Sequence, residues 1–148
     1  MNIDQLRSQI DLHLSNLVDK YCAELIEIDP QLTPVADALK DYLAEGKRFR
    51  SIFALIGYLG AGGELKPEIY RACAALEFLQ ASALIHDDLM DGSDTRRGAP
   101  SIHRLFESQH RKQGRAGSAE GFGASAAILL GDLALVWSAK MLHESGLE

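Results

Sequence analysis

Cysteine is scarce in this sequence, and its scarcity argues against a disulfide-stabilised protein. The chain holds two cysteines, Cys22 and Cys73, which lie far apart and form no C-x-x-C pair. A disulfide framework needs more cysteines at closer spacing. We therefore expect two free thiols, buried among apolar helical residues, in a reducing cytoplasm.

Positive charge is also in short supply. Lysine and arginine number 15 against 21 acidic residues, so the net charge is −6. A nucleic-acid-binding protein usually carries a basic field that matches the phosphate backbone. This balance therefore argues against a nucleic-acid partner.

Long uninterrupted apolar runs are missing as well. The N-terminus contains Asp4 and Arg7 and lacks the apolar core of a signal peptide. The longest apolar stretch, Phe122–Leu142, is interrupted by Asp132 and Lys140. Because a charge at the centre of a bilayer is costly, this stretch predicts a helix buried inside a helical protein and not a membrane span.

Helical periodicity is what the sequence does contain. Apolar residues recur at spacings of three and four, and no segment alternates apolar and polar residues for long enough to predict a strand. The predicted helices run from Ile3 to about Ile28, from Thr33 to about Glu45, through Ile52–Leu59, from Pro67 to Asp91, and from about Phe122 to Glu144. The sequence therefore predicts an all-α fold.

Proline, glycine and a capping residue mark the boundaries of these helices. Asp29-Pro30 is expected to end the first helix. Thr33 is expected to be the N-cap of the second, with Pro34 at its first helical position. Gly92 can cap the fourth helix.

A long polar segment separates the fourth helix from the last. It extends from Gly92 to about Gly121 and holds a short predicted helix at Ile102–Glu107. Loops of this length in compact domains are usually functional or mobile. The two helices that it joins are apolar nearly all round, so we expect the chain to be part of a larger helical body.

Three aspartates cluster at the end of the fourth helix, in the sequence Asp87-Asp88-Leu89-Met90-Asp91. Asp87 and Asp91 are one turn apart and share a face, whereas Asp88 lies about 100° further round. Carboxylates in a last turn oppose the helix dipole, so the cluster needs a positive partner. Magnesium fits because it takes carboxylate oxygens and bridges to substrate phosphates. A solvated acidic helix end is the alternative.

Basic residues flank this acidic cluster in the sequence. Arg96 and Arg97 follow it, and Gly46-Lys47-Arg48-Phe49-Arg50 lies at the start of the third predicted helix. Guanidinium groups bind phosphate in a bidentate manner, and free N–H groups at a helix start also favour anions. Each basic group alone is typical of a solvated surface. Acidic metal ligands between two basic groups favour a site for metal and diphosphate.

These segments resemble the trans-isoprenyl diphosphate synthases of the polyprenyl synthetase family. Gly46-Lys47-Arg48-Phe49-Arg50 is similar to that family's G-K-R-x-R segment, and Asp87–Asp91 matches its first aspartate-rich motif. Asp94–Gly98 matches the D-x-R-R-G that follows, and Gly131-Asp132 matches the G-D of a later helix. The resemblance covers about Leu39 to Leu142.

The resemblance implies the N-terminal portion of the helical isoprenoid synthase fold. It also implies a magnesium-dependent prenyltransferase that condenses an allylic prenyl diphosphate with isopentenyl diphosphate. Asp87 and Asp91 would hold magnesium on the allylic diphosphate, with Asp88 in support, and Arg96 would contact the same diphosphate. The residues implied for isopentenyl diphosphate are Lys47, Arg50, Gln80 and Arg97.

Product length is implied by the residues that precede the aspartates. Ala83 and Ser82 lie four and five residues before Asp87, and we expect all three to share a face, with Leu79 one turn deeper. In the family, bulky aromatics at these two positions accompany short products. Small residues here imply an open channel and a product of geranylgeranyl diphosphate or longer. A floor formed by Leu79 or by another helix is the alternative.

No second aspartate-rich motif is present in the sequence. The resemblance therefore implies that residues 1–148 are the N-terminal part of one polyprenyl synthetase domain, acting as a cytoplasmic homodimer. The alternatives are a non-catalytic subunit of a heteromeric prenyltransferase, a helical interaction protein, and a metal phosphohydrolase of the HD type built on His86-Asp87. On the resemblance, His86 is expected either to support the aspartates or to be structural, and His103 is a candidate to help close over the site.

Overall fold

Helices make up about three quarters of this computed structural model, which describes residues 2–147. They are α1 (Ile3–Ile28), α2 (Thr33–Ala44), α3 (Phe49–Gly60), α4 (Pro67–Met90), α5 (Ile102–Lys112) and α6 (Ala119–His143), with a 3₁₀ turn at Pro30–Leu32. Two short strands, β1 (Thr95–Arg96) and β2 (Ala99–Pro100), pair antiparallel. The predicted all-α fold is confirmed.

The chain forms two compact units. The first unit holds the chain up to Leu79 and again from Val136, and the second unit holds Gln80–Leu135. Helices α1, α2 and α3 belong to the first unit, and the hairpin and α5 belong to the second. Helices α4 and α6 each contribute residues to both.

Aromatic rings from α1, α4 and α6 form the centre of the first unit. Tyr21 is fully buried, and its ring centroid lies 6.1 Å from that of Phe78 and 5.4 Å from that of Trp137. Phe78 and Trp137 meet edge to face at 5.9 Å. Tilted and edge-on contacts are the favoured geometry of aromatic pairs and add to the free energy gained by burying the rings. The cluster therefore stabilises the packing of α1 against α4 and α6.

Local signals set most helix boundaries, with one exception at α2. Helix α1 begins with a capping box between Asn2 and Gln5. The expectation that Thr33 is the N-cap of α2 is wrong, because α2 begins at Thr33 and Leu32 precedes it as N-cap. The 3₁₀ turn runs directly into α2, so the Thr33 hydroxyl donates to the Pro30 carbonyl at 2.7 Å.

The segment predicted as a long polar loop carries more structure than expected. Helix α5 extends to Lys112 and does not end near Glu107. Ile102, Phe106 and His110 recur at intervals of four and are all buried, which explains the longer helix. The strands β1 and β2, which the sequence does not predict, are too short to show an alternating pattern.

Helix α6 is long and apolar and leaves many apolar side chains exposed. By length and composition it is the one helix within residues 2–147 that could cross a membrane, and 39% of its most apolar window is buried. Its exposed apolar residues include Ile128, Leu129, Leu135, Val136 and Leu142. This exposure agrees with the expectation that α6 needs more cover than the chain supplies.

We expect both cysteine thiols to be unreactive in the folded protein. Both are buried, and burial raises the pKa of the Cys22 thiol and of the Cys73 thiol to about 11. Because the thiolate is the reactive species, labelling with an aromatic disulfide at pH 8 should be about 100-fold slower in native protein than in urea. The same shift makes the free energy of unfolding depend on pH. The contribution of the two thiols is fully present below about pH 9 and is lost as the pH rises towards 11, because the unfolded chain ionises first. Fast labelling without denaturant would contradict the structure.

Candidate functional site

Helix α4 ends at the aspartate cluster in a Schellman motif. The Ser93 N–H donates to the Asp88 carbonyl at 2.8 Å, and the Gly92 N–H donates to the Leu89 carbonyl at 3.4 Å. Gly92 has a φ of 67°, the left-handed conformation that this motif requires and that glycine adopts without steric cost. The predicted glycine cap is confirmed, and it places Asp91 at the C-cap of the helix.

Asp88 is buried in a bidentate ion pair. Its side chain is 1% exposed, and Nε and Nη2 of Arg96 donate to its two carboxylate oxygens at 2.7 and 2.6 Å. Parallel N–H donation to both oxygens is the strongest geometry that arginine and a carboxylate form. Because Arg96 lies on β1, the pair ties the hairpin to the end of α4.

Asp87 and Asp91 present their carboxylates to solvent. The Asp87 side chain is 58% exposed, with one oxygen 3.7 Å from Nη2 of Arg96, and Asp91 is also exposed. Among the described residues, no group of three or more His, Cys, Asp or Glu side chains is placed to hold a metal. Two carboxylates one turn apart still fit magnesium, which binds through one or two carboxylates and completes its shell with water and substrate phosphate. The pair therefore suits a metal that arrives with a phosphate ligand.

A tight hairpin turn gives the two arginines after the cluster different environments. The register pairs Arg96 with Ala99 and leaves Arg97 and Gly98 as the turn. Both turn residues have positive φ, 52° and 81°, as a two-residue type I′ turn requires. Arg97 is exposed at the tip, whereas Arg96 pairs with α4. Sequence reasoning missed this hairpin, because its usual signal is Asn-Gly or Asp-Gly and the turn here is Arg-Gly.

The base of the hairpin is fastened to α5. The Asp94 carbonyl accepts from the backbone N–H and the hydroxyl of Ser101 at 3.0 and 3.1 Å, and its carboxylate accepts from Nε of Arg104 at 2.7 Å. His103 is buried, with Nδ1 3.2 Å from the Ser101 hydroxyl. His103 thus lies inside the second unit, where it supports the hairpin base, and its expected part in closing over the site stays a prediction.

His86 connects the last turns of α4 to α6. Its Nε2 lies 3.2 Å from the Ile128 carbonyl and 3.7 Å from a carboxylate oxygen of Asp132. Gly131 lies directly against the imidazole, and a Cβ at this position would collide with the ring. Gly131 leaves room for the imidazole on α6, and Asp132 lies beside it. These contacts fit the structural alternative for His86.

The second basic group lies in the first unit, at the start of α3. Lys47 and Arg50 are exposed, and Nζ of Lys47 lies 5.8 Å from the ring centroid of Phe49. Arg48, between them, is 4% exposed and forms ion pairs within the unit. Of the three cations, Lys47 and Arg50 are therefore the two that an anion from solvent can reach.

The residues proposed to set product length lie along α4. Leu79, Ala83 and Asp87 follow at intervals of four, and all three are exposed. Ser82 is 4% exposed, and Gln80 is half-buried. The expectation that Ser82 shares the face of Asp87 is wrong, because five residues at about 100° each turn it about 140° away. Ala83 is the small residue that stays in line with the aspartate.

Known proteins are similar to this chain over most of its length. A family model described as Polyprenyl synthetase matches residues 33–147. The short chain isoprenyl diphosphate synthase of Methanocaldococcus jannaschii is 32% identical over 128 residues, which are 86% of this chain and 34% of that protein. A geranylgeranyl pyrophosphate synthase of Geoglobus acetivorans is 34% identical over 101 residues, which are 67% of this chain and 31% of that protein.

Solved structures are also similar to this chain over its full length. The geranylgeranyl pyrophosphate synthase of Corynebacterium glutamicum, complexed with isoprenyl diphosphate and magnesium, matches with a TM-score of 0.93 and 39% identity. The match covers 100% of this chain and 43% of that one. The chain matches about a third of the length of the two relatives above, and less of others.

We expect Asp88→Asn to destabilise the fold, whereas Asp91→Asn should not. The first change leaves Arg96 beside a buried neutral amide, which should lower the free energy of unfolding by about 2 kcal/mol, since Arg96 is only partly buried. The second removes an exposed carboxylate from a helix C-terminus and should raise that free energy by up to about 0.5 kcal/mol. Urea unfolding measures both values. Equal losses would contradict the separate roles of the two aspartates.

Proposed function

The chain belongs to the polyprenyl synthetase family, and from this premise we propose that it carries the allylic diphosphate site of a magnesium-dependent trans-prenyltransferase. The proposed reaction condenses an allylic prenyl diphosphate with isopentenyl diphosphate. The observation that carries the proposal is the end of α4, where exposed Asp87 and Asp91 lie on either side of buried Asp88 and its ion pair with Arg96. Metal-binding oxygens and a guanidinium thus lie together, as a metal-diphosphate complex requires.

The proposal divides the charged residues between the two diphosphates. Asp87 and Asp91 hold magnesium on the allylic diphosphate. Arg96 contacts the same diphosphate, and Asp88 acts through Arg96 by keeping its guanidinium in place. The resemblance assigns isopentenyl diphosphate to Lys47, Arg50, Gln80 and Arg97.

Catalysis on this proposal is electrostatic and needs no protein nucleophile. Magnesium, when bound, neutralises charge on the departing diphosphate. The allylic C–O bond breaks with both electrons going to the diphosphate, and the double bond of isopentenyl diphosphate attacks the allylic carbon. The resulting cation loses a proton to the released diphosphate, and a new double bond forms. Nη2 of Arg96 lies 3.7 Å from the Asp87 carboxylate, which supports a role for the Arg96 charge in stabilising the negative charge that develops on a diphosphate held there.

The alternative functions have less support. A metal phosphohydrolase built on His86-Asp87 needs further His and Asp ligands, but Nε2 of His86 lies against the Ile128 carbonyl. No metal-binding cluster of His, Cys, Asp or Glu is found in residues 2–147. The similar proteins are named as isoprenyl diphosphate synthases, and the aspartates of this chain are intact, which disfavours a non-catalytic subunit and a purely structural helical protein.

We also propose a homodimer to which α6 contributes. Leu129 and Val136 are 66% and 61% exposed, and Ile128 and Leu135 are about half exposed on the same helix. Contiguous apolar surface on a helix is usually covered by a partner. A cytoplasmic location stays a prediction from the two unpaired cysteines.

We expect divalent metal and diphosphate to bind this chain cooperatively. Two carboxylates alone hold magnesium weakly, whereas a bound phosphate adds ligands and Arg96 balances its charge. Calorimetry with a bisphosphonate should show binding at least about tenfold tighter in magnesium than in EDTA. Equal affinity in the two conditions would contradict the proposal.

A matched pair of variants makes this test specific. Asp91→Asn should abolish the magnesium-dependent gain in bisphosphonate affinity, because it removes a proposed metal ligand. Glu64→Gln removes another exposed carboxylate, which pairs with Lys66 in the first unit, and should leave the gain unchanged. Equal effects of the two variants would show that the metal has no particular site at the aspartates.

We expect Ala83→Phe to shorten the product of the full-length protein. If the diphosphate lies at the aspartates, the growing chain runs down α4 past Ala83, which is about 6 Å from Asp87 along the axis. From a wild-type product of geranylgeranyl diphosphate or longer, the variant should lose about one five-carbon unit or more. Ala83→Ser is the small-residue control and should leave the product unchanged. If Ala83→Phe leaves the product unchanged, Ala83 does not line the part of the channel that limits chain length, and Leu79 is the next residue to test.

A further inference from the structure

Arg48 carries its charge inside the first unit. It is the middle cation of Gly46–Arg50, yet its side chain is 4% exposed, whereas Lys47 and Arg50 face solvent. A buried guanidinium is costly unless its donors are paired. The acceptors that pair with the Arg48 guanidinium therefore determine its role.

Acceptors from three helices surround the Arg48 guanidinium. Nε donates to the Asp11 carboxylate on α1 at 2.7 Å, and Nη1 donates to the Glu77 carboxylate on α4 at 3.2 Å. Nη2 donates to the carbonyls of Leu43 and Ala44 at 2.7 and 3.1 Å. These carbonyls belong to the last turn of α2, where a helix has no internal partners for them. The guanidinium therefore joins α1 and α4 to the end of α2.

The backbone around Arg48 is also constrained. Its φ of 56° is left-handed, and its carbonyl accepts the first hydrogen bond of α3 from the Ile52 N–H at 2.9 Å. A Cβ on Gly46 would lie 2.7 Å from Nη1 of Arg48, so an alanine there would have to displace the guanidinium. Arg7 donates to the Gly46 carbonyl at 3.0 Å. The short connection between α2 and α3 is thus held in one arrangement.

Glu77 is anchored independently of this connection. It is 6% exposed, and its second carboxylate oxygen accepts from the fully buried Ser51 hydroxyl at 2.6 Å. Because two donors hold this buried carboxylate, its position beside Arg48 is fixed. The Ser51 contact ties the start of α3 to the same carboxylate that pairs with Arg48.

We propose that Arg48 is a positioning residue for the anion site at the start of α3. It fixes the connection so that Lys47 and Arg50 present their charges together to a diphosphate. The inference rests on the proposed function, which takes this anion to be isopentenyl diphosphate. Arg48 acts through its neighbours, because its donors are directed to Asp11, Glu77 and the end of α2. A misplacement of about 1 Å in such a binding arrangement is enough to weaken it strongly.

The test compares variants of the full-length protein by steady-state kinetics. Arg48→Lys keeps the charge, but a single ammonium group cannot reach acceptors on three helices at once. It should raise KM for isopentenyl diphosphate by about tenfold and leave kcat and the KM for the allylic diphosphate within about twofold. Gly46→Ala displaces the guanidinium while every charge is kept, and it should show the same change in KM.

Ser138→Ala is the control for lost stability alone. It removes a hydrogen bond to the Ala75 carbonyl within the first unit and is hydrogen-bonded to none of the Arg48 partners, so it should lower Tm without changing KM for isopentenyl diphosphate. An unchanged KM in Gly46→Ala, or an equal rise in Ser138→Ala, would overturn the positioning role even where Arg48→Lys does not fold. A wild-type protein that consumes no isopentenyl diphosphate would overturn the proposed function, and this inference with it.

Discussion

The ion pair between Asp88 and Arg96 is the contact on which the arrangement of the candidate site depends. Asp88 is buried at the C-terminal end of α4, where the helix dipole disfavours a carboxylate and burial makes its charge costlier still. Arg96 supplies the opposite charge and, because it lies on β1, the same pair brings the hairpin against the helix. The helix end is stabilised without Asp87 and Asp91, whose exposed oxygens stay accessible to a metal.

Both basic groups of the sequence follow one physical rule. In each group an arginine is turned inward onto carboxylates, Arg96 onto Asp88 and Arg48 onto Asp11 and Glu77. The planar fork of arginine pairs with several acceptors in fixed directions, which suits it to an inward position better than lysine. The inward arginines hold the backbone from which the neighbouring exposed cations extend. A motif of adjacent cations is therefore partly a structural support and partly a binding surface.

Periodicity and capping residues predict most helices correctly, because these signals act over a few residues of chain. The predicted bounds of α1, α4 and α6 lie close to those observed, and Gly92 caps α4 as expected. The predictions are wrong where contacts with residues distant in the chain set the structure, or where an element is too short to show a pattern. Helix α5 is longer than predicted because its stripe of Ile102, Phe106 and His110 is buried, and the hairpin is too short to carry a pattern. Ser82 does not share the face of Asp87, because the five-residue separation turns the helix about 140° beyond a full turn.

The sequence by itself determined the helical class, the aspartate cluster and its glycine cap, and the resemblance to the polyprenyl synthetases. These features depend on residues that are close together in the chain. Only the tertiary structure decided which charged residues face inward, Asp88 and not Asp87, Arg48 and not Lys47. Such a choice depends on which acceptors other parts of the chain bring to a side chain, as α1 and α4 do for Arg48, and on how much water they exclude from it.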